Sequence, residues 1–95
     1  MISKPAVSGR VPIIVTTSQT VSVSEREIIA LHYVNNTAGV GQVRVTDGSG
    51  ATAGVVLGAA VVGGSDDFCP TQPMKFNKIV VTFDTGTGYL SILTN

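Results

Sequence analysis

The chain carries one histidine, His32, and one cysteine, Cys69, so base or nucleophile chemistry of those types must be built on them. His32 stands between Leu31 and Tyr33, with Ile28, Ala30 and Val34 around it in an apolar run. That setting reads as a packed or hydrogen-bonded histidine on a sheet face. Cys69 follows Asp66, Asp67 and Phe68 and precedes Pro70. Carboxylates beside a thiol disfavour the thiolate that a nucleophile needs, so Cys69 reads as a free structural thiol. A hydrolase would have to bring His32 and Cys69 together, and nothing in their surroundings asks for that. Zinc takes three or four ligands, more than one histidine and one cysteine supply without carboxylates or another subunit.

Two acidic places remain for a cation, Asp66-Asp67 and Asp47-Gly48-Ser49. The spacing of an EF-hand loop is absent at both, and both read as solvated turns. Gly39-Val40-Gly41, Gly48-Ser49-Gly50 and Gly86-Thr87-Gly88 are followed by no helical periodicity. They read as hairpin glycines and not as phosphate loops. The aromatic residues are Tyr33, Phe68, Phe76, Phe83 and Tyr89, with no tryptophan. A sugar platform usually offers Trp or Tyr faces, and two tyrosines on separate strands make a weak one. No catalytic residue, cofactor or metal site is expected.

The elements that would position these side chains are all strands. Fifteen valines, eleven threonines and eleven glycines describe β-branched strands joined by glycine turns. A strand is expected over Arg10 to Thr17, with Pro12 confining its start to an edge or a first position. Gln19 to Ser24 alternates Val21 and Val23 against Thr20, Ser22 and Ser24. Ile28 to Asn35 is apolar on both faces, Ile29, Leu31 and Tyr33 against Ile28, Ala30, His32 and Val34, and reads as a central strand. Gly41 to Thr46 turns Val43 and Val45 inward, ahead of the Asp47-Gly48 turn. Ser65 to Pro73 reads as a loop. Lys78 to Asp84 and Tyr89 to Thr94 form a closing hairpin with Ile79, Val81 and Phe83 on one face of the first arm and Leu90 and Ile92 on one face of the second. The expected fold is all-β: a single antiparallel β-sandwich of about seven to eight strands, jelly-roll or Ig-like. A flexible N-terminal arm, 1–10, would precede a sandwich domain, 11–95.

Charge narrows the function classes. Six basic and six acidic residues cancel, and 13% of positions are charged against a usual quarter. No one-sided positive field is available, which excludes nucleic acid as the main partner. The longest apolar run, Ala53 to Gly64, is interrupted by glycines and falls short of the about 20 residues of a spanning helix, so no membrane partner is expected. Met1 to Pro5 has no apolar stretch behind it, and one cysteine allows no intrachain disulfide. Synthesis in a reducing cytoplasm is expected.

The run Val55 to Val62 is apolar on both faces. Val55, Leu57, Ala59 and Val61 can serve the core; Val56, Gly58, Ala60 and Val62 then need cover, from a loop or from a neighbouring subunit. Sparse charge on so small a domain favours the subunit.

At Ile29-Ala30-Leu31-His32-Tyr33-Val34-Asn35-Asn36, followed by Gly41-Gln42-Val43-Arg44-Val45-Thr46-Asp47-Gly48, the chain resembles the small β-sandwich proteins of tailed bacteriophage virions, the capsid decoration (cement) and head-fibre group. Pro70, Pro73, Phe76 and the hairpin Lys78 to Thr94 extend the resemblance over Gln19 to Asn95. It implies a non-enzymatic protein of the virion that binds the major capsid protein from outside, as a homotrimer, and stabilises or decorates the shell. The expected contact residues are Val56, Ala60 and Val62 on the strand, and Pro5, Val7 and Arg10 on the arm. The alternative is a tail, fibre or adhesin-type module recognising a host glycan or receptor, with Tyr33, Tyr89 and the loop Asp66 to Pro73 as its surface.

Overall fold

A computed structural model describes residues 11–48 and 54–95, and every element among them is a strand. In chain order these are β1 (Ile13–Val15), β2 (Gln19–Ser22), β3 (Arg26–Asn35), β4 (Gly41–Asp47), β5 (Gly54–Ala59), β6 (Ser65–Phe68), β7 (Met74–Phe76), β8 (Ile79–Thr85) and β9 (Gly88–Thr94). One sheet runs β1-β9-β3-β6, with β7 pairing the start of β3; the other runs β2-β8-β4-β5. All pairings are antiparallel.

The strand order decides between the two expected topologies. Leaving out the three-residue β7, the pairs include β1 with β9, β2 with β8, β3 with β6 and β4 with β5. These pairs are nested, first with last and inward to the β4–β5 hairpin. A long antiparallel hairpin rolled into two layers produces this nesting, which is the jelly roll. An Ig-like sandwich would keep more successive strands within one sheet.

The core lies between the layers and follows the alternation of the strands. Val43 and Val45 of β4, Ile79 and Val81 of β8, and Leu90 and Ile92 of β9 are all buried, as their sequence spacing requires. In β3 the alternation slips. The β9 register passes from Ile28↔Thr94 to Ala30↔Leu93, which leaves Ile29 as an extra residue in β3. This bulge puts Ile28, Leu31, Tyr33 and Asn35 in the core and turns Ala30, His32 and Val34 to the outside. The expected grouping of Ile29 with Leu31 and Tyr33 is therefore corrected at its first member.

Three further expectations change. The stretch Ser65 to Pro73 is not a single loop: Ser65–Phe68 pairs with β3 as β6 before the prolines interrupt it. The strand from Val55 stops at Ala59, so Val61 lies in the following turn and is 63% exposed instead of serving the core. Val23, expected to alternate inward, lies beyond the end of β2 and is exposed.

Candidate functional site

Three surfaces carry the residues singled out above. The first is the end of the sandwich where the turns β3–β4, β5–β6 and β8–β9 meet. Its centre is Asn35, fully buried at the last position of β3. The Asn35 side-chain amide donates to the carbonyls of Gly39 (2.7 Å), Ala59 (3.1 Å) and Val61 (3.1 Å). Its Oδ1 accepts from the Thr37 N–H at 2.8 Å. The backbone joins in, with Asn35 N–H donating to Gly64 O and Gly63 N–H donating to Asn35 O. One side chain thus satisfies the backbone of two turns that have no ladder to pair with.

Those turns hold an apolar surface outward. Val40 is 58% exposed, Val61 63% and Val62 61%, and Val56, on the outer face of β5, is 56% exposed. Ala60 is exposed in the same turn. Of the residues expected to make contacts, Ala60 and Val62 lie in this turn, while Val56 lies further back along β5, beside Arg44 in register. Pro5, Val7 and Arg10, with the whole arm, lie outside the described residues.

The second surface is the outer face of the β1-β9-β3-β6 sheet. The register sets Asp67 of β6, His32 of β3 and Ser91 of β9 side by side across three strands, with Ile14 of β1 beyond Ser91. His32 Nδ1 is hydrogen-bonded to the Asp67 carboxylate. Tyr89, paired with Val34 in the next row, sets its ring 6.3 Å from that of His32 at 57°. His32 is therefore a hydrogen-bonded histidine on a sheet face, as its sequence setting suggests.

The third surface is the outer face of the β2-β8-β4-β5 sheet. Arg44 of β4 lies between Thr82 and Val56 in register. It reaches Asp84 with two donors, Nε at 3.1 Å and Nη2 at 2.9 Å, and Gln42 Nε2 donates to the same carboxylate at 3.3 Å. The Arg44 bonds hold the Asp84 carboxyl below the usual carboxylate range, and the same pairing raises Arg44.

The remaining candidates part company. Asp66 and Asp67 point to opposite sides of β6: Asp67 meets His32, while Asp66 accepts from the Gly58 N–H of β5 at 3.1 Å. The turn aspartate Asp47 accepts from Asn77 N–H at 3.3 Å. Among the described residues no group of three His, Cys, Asp or Glu converges on a metal position, and no cavity opens. Cys69 is exposed just after β6, and no hydrogen bond joins it to His32. Tyr33, expected at an exposed aromatic surface, is instead fully buried, its ring 6.4 Å from that of Phe83, and burial pushes its phenol up. The Asp67–His32–Ser91 row escaped the sequence because antiparallel register, not chain spacing, assembles it. Alternation along the separate strands was the only available signal. No helix among the described residues is long and apolar enough to cross a membrane.

Comparison with protein-family models, curated proteins and solved structures finds no match to this chain.

Proposed function

We propose that this chain is a non-enzymatic structural protein of a virion, binding the outer capsid surface as a homotrimer and stabilising or decorating the shell. The observation that carries the reading is a set of exposed valines: Val40, Val61 and Val62 in the turns that Asn35 ties together, and Val56 on the outer face of β5. Fully burying a valine side chain is worth about 1.5 kcal/mol or more, so each of these more than half-exposed residues has about 1 kcal/mol to contribute to a contact. No charge interrupts Gly54 to Gly64 in the sequence, and the charges that border it in space are already engaged, Arg44 with Asp84 beside Val56 and Asp66 with the Gly58 N–H. The jelly roll supports the reading by analogy only, since capsid proteins and lectins both use it. The sequence resemblance adds the capsid as the partner. On a lattice, modest contacts per copy suffice because neighbouring copies add avidity.

Light scattering behind a sizing column tests the assembly. The expected mass is three times 9.8 kDa, falling to one subunit in Val56→Asp/Val62→Asp. Sedimentation with capsids tests the partner, and removal of residues 1–10, with Pro5, Val7 and Arg10, should lower occupancy while leaving the fold intact. A monomer that binds no capsid overturns the proposal.

A further inference from the structure

We infer that the outer face of the β1-β9-β3-β6 sheet binds a neutral or amino disaccharide, laid across Asp67, His32 and Ser91 with Tyr89 as its stacking surface. The inference is independent of the valine group, which lies on other elements. Four features of this face carry it.

The first is the state of the polar atoms. Asp67 accepts from Nδ1 of His32, which leaves Nε2 of the ring without a partner among the described residues. No other hydrogen bond of His32, Asp67 or Ser91 side chains is made among the described residues. Nε2, the second Asp67 oxygen and the Ser91 hydroxyl are all open to an outside molecule. The carboxylate oxygen accepts, the hydroxyl both donates and accepts, and the ring nitrogen adds a third polar contact, which suits a ligand rich in hydroxyl groups. The second feature is spacing. Strands stand about 4.8 Å apart, so the row from Asp67 to Ser91 spans about 10 Å, the reach of two linked sugar rings and not of one.

The third feature is the aromatic surface. Tyr89 is 40% exposed and lies diagonal to His32, so a ring stacked on it borders the polar row directly. Val34 beside it and Ile14 beyond Ser91 extend the apolar floor that the C–H face of a pyranose requires. The fourth is rigidity. The row crosses the middle of β3, β6 and β9, and a site on strands is held more closely than one on loops. The Asp67 carboxylate sets the class. It favours neutral or amino sugars and repels acidic ones.

The test is an amide NMR titration of the full chain with maltose, cellobiose, lactose and chitobiose, and with a uronic-acid disaccharide. At least one neutral or amino disaccharide should shift the signals of His32, Asp67, Tyr89 and Ser91, saturating at a millimolar Kd, with the acidic one about tenfold weaker or silent. Tyr89→Ala should weaken binding about tenfold and Tyr89→Phe by less than about twofold. His32→Phe, which keeps a ring and loses Nε2, should weaken it as well. The unchanged signals of Ile28 and Val15, buried in the same sheet away from the substituted positions, establish that the sheet is intact in each variant. Silence from the neutral and amino probes to about 50 mM, shifts located at the valine turns, or full affinity in Tyr89→Ala would each overturn the inference.

Discussion

The two outer faces of the sandwich are each crossed by a polar row, and the rows differ in what they leave unused. On the β2-β8-β4-β5 sheet, Arg44 turns two donors onto Asp84 and Gln42 adds a third. The charges meet each other, and the row is closed within the protein. On the opposite sheet, His32 spends one nitrogen on Asp67 and keeps the other. The Ser91 hydroxyl stands beside it with no partner among the described residues, and the Tyr89 ring lies alongside. Similar numbers of polar atoms thus yield a self-satisfied face and an open one. What a polar surface can bind depends on the partners its groups lack, and composition alone does not report that.

The largest test removes the turn that joins the two faces. Asn35→Ala removes the side-chain partner of three backbone carbonyls and one N–H in a buried site, leaving Val61 O only its bond from the Gly64 N–H, and we expect a loss of about 3 kcal/mol or more in urea unfolding. Both faces should lose order together. Asn35→Asp, which keeps the acceptor and loses the donors, should recover little. Gly41→Ala comes next. A methyl there would collide with the Tyr33 hydroxyl and the Asn35 side-chain oxygen. Overpacking of this kind costs about 1–3 kcal/mol. Adding Tyr33→Phe should relieve part of it.

Tyr33→Phe alone sharpens the contrast between paired and unpaired groups inside the core. Among the described residues the buried Tyr33 hydroxyl has no hydrogen-bond partner, whereas Asn35, two residues on, is fully bonded. Removing an unpaired hydroxyl should leave stability within about 1 kcal/mol of the parent, or raise it. The pH dependence carries the same information. Burial raises the Tyr33 phenol, so the folded state holds this proton more firmly than the unfolded chain does. Stability is then whole below about pH 10 and falls as pH rises beyond it, and Tyr33→Phe should flatten that fall. An alkaline limb of equal slope in both proteins would remove Tyr33 from the account.

The same residues mark how much was legible in the sequence. The all-β class, the inward Val43–Val45 and Leu90–Ile92 pairs and the central place of β3 follow from period-two alternation, which the chain states locally. The jelly-roll order does not, because nesting is a relation between distant strands. The bulge at Ile29 was hidden because β3 is apolar on both faces, so a one-residue slip leaves no mark in polarity. β6 escaped for the opposite reason. Ser65-Asp66-Asp67 reads as a turn by composition, yet Asp66 and Asp67 each find a donor on a neighbouring strand. Val56 and Val62 were legible as surface in need of cover, while the readiness of His32 and Tyr89 for a ligand needed the register.

The smallest effect tests the closed face directly. Arg44 and Asp84 are both near solvent, so their pairing is screened, and we expect a double-mutant cycle on Arg44→Ala and Asp84→Asn to give a weak coupling that added salt diminishes. Its pH dependence has a definite sign. Asp84 is held low chiefly by its hydrogen bond from Arg44, so the folded state releases this proton more readily than the unfolded chain. The contribution is whole above the unfolded value, about pH 4, and is lost as pH falls through the lowered folded one. Urea midpoints of the parent and Asp84→Asn should therefore separate at neutral pH and converge in acid. His32→Ala gives the contrast: it leaves to water an Asp67 carboxylate that is already 68% exposed, and its main effect should be on ligand affinity and not on the midpoint. If instead His32→Ala costs more stability than Arg44→Ala, the His32 row is bound into the fold as tightly as the Arg44 row, and the distinction between an open and a closed face fails.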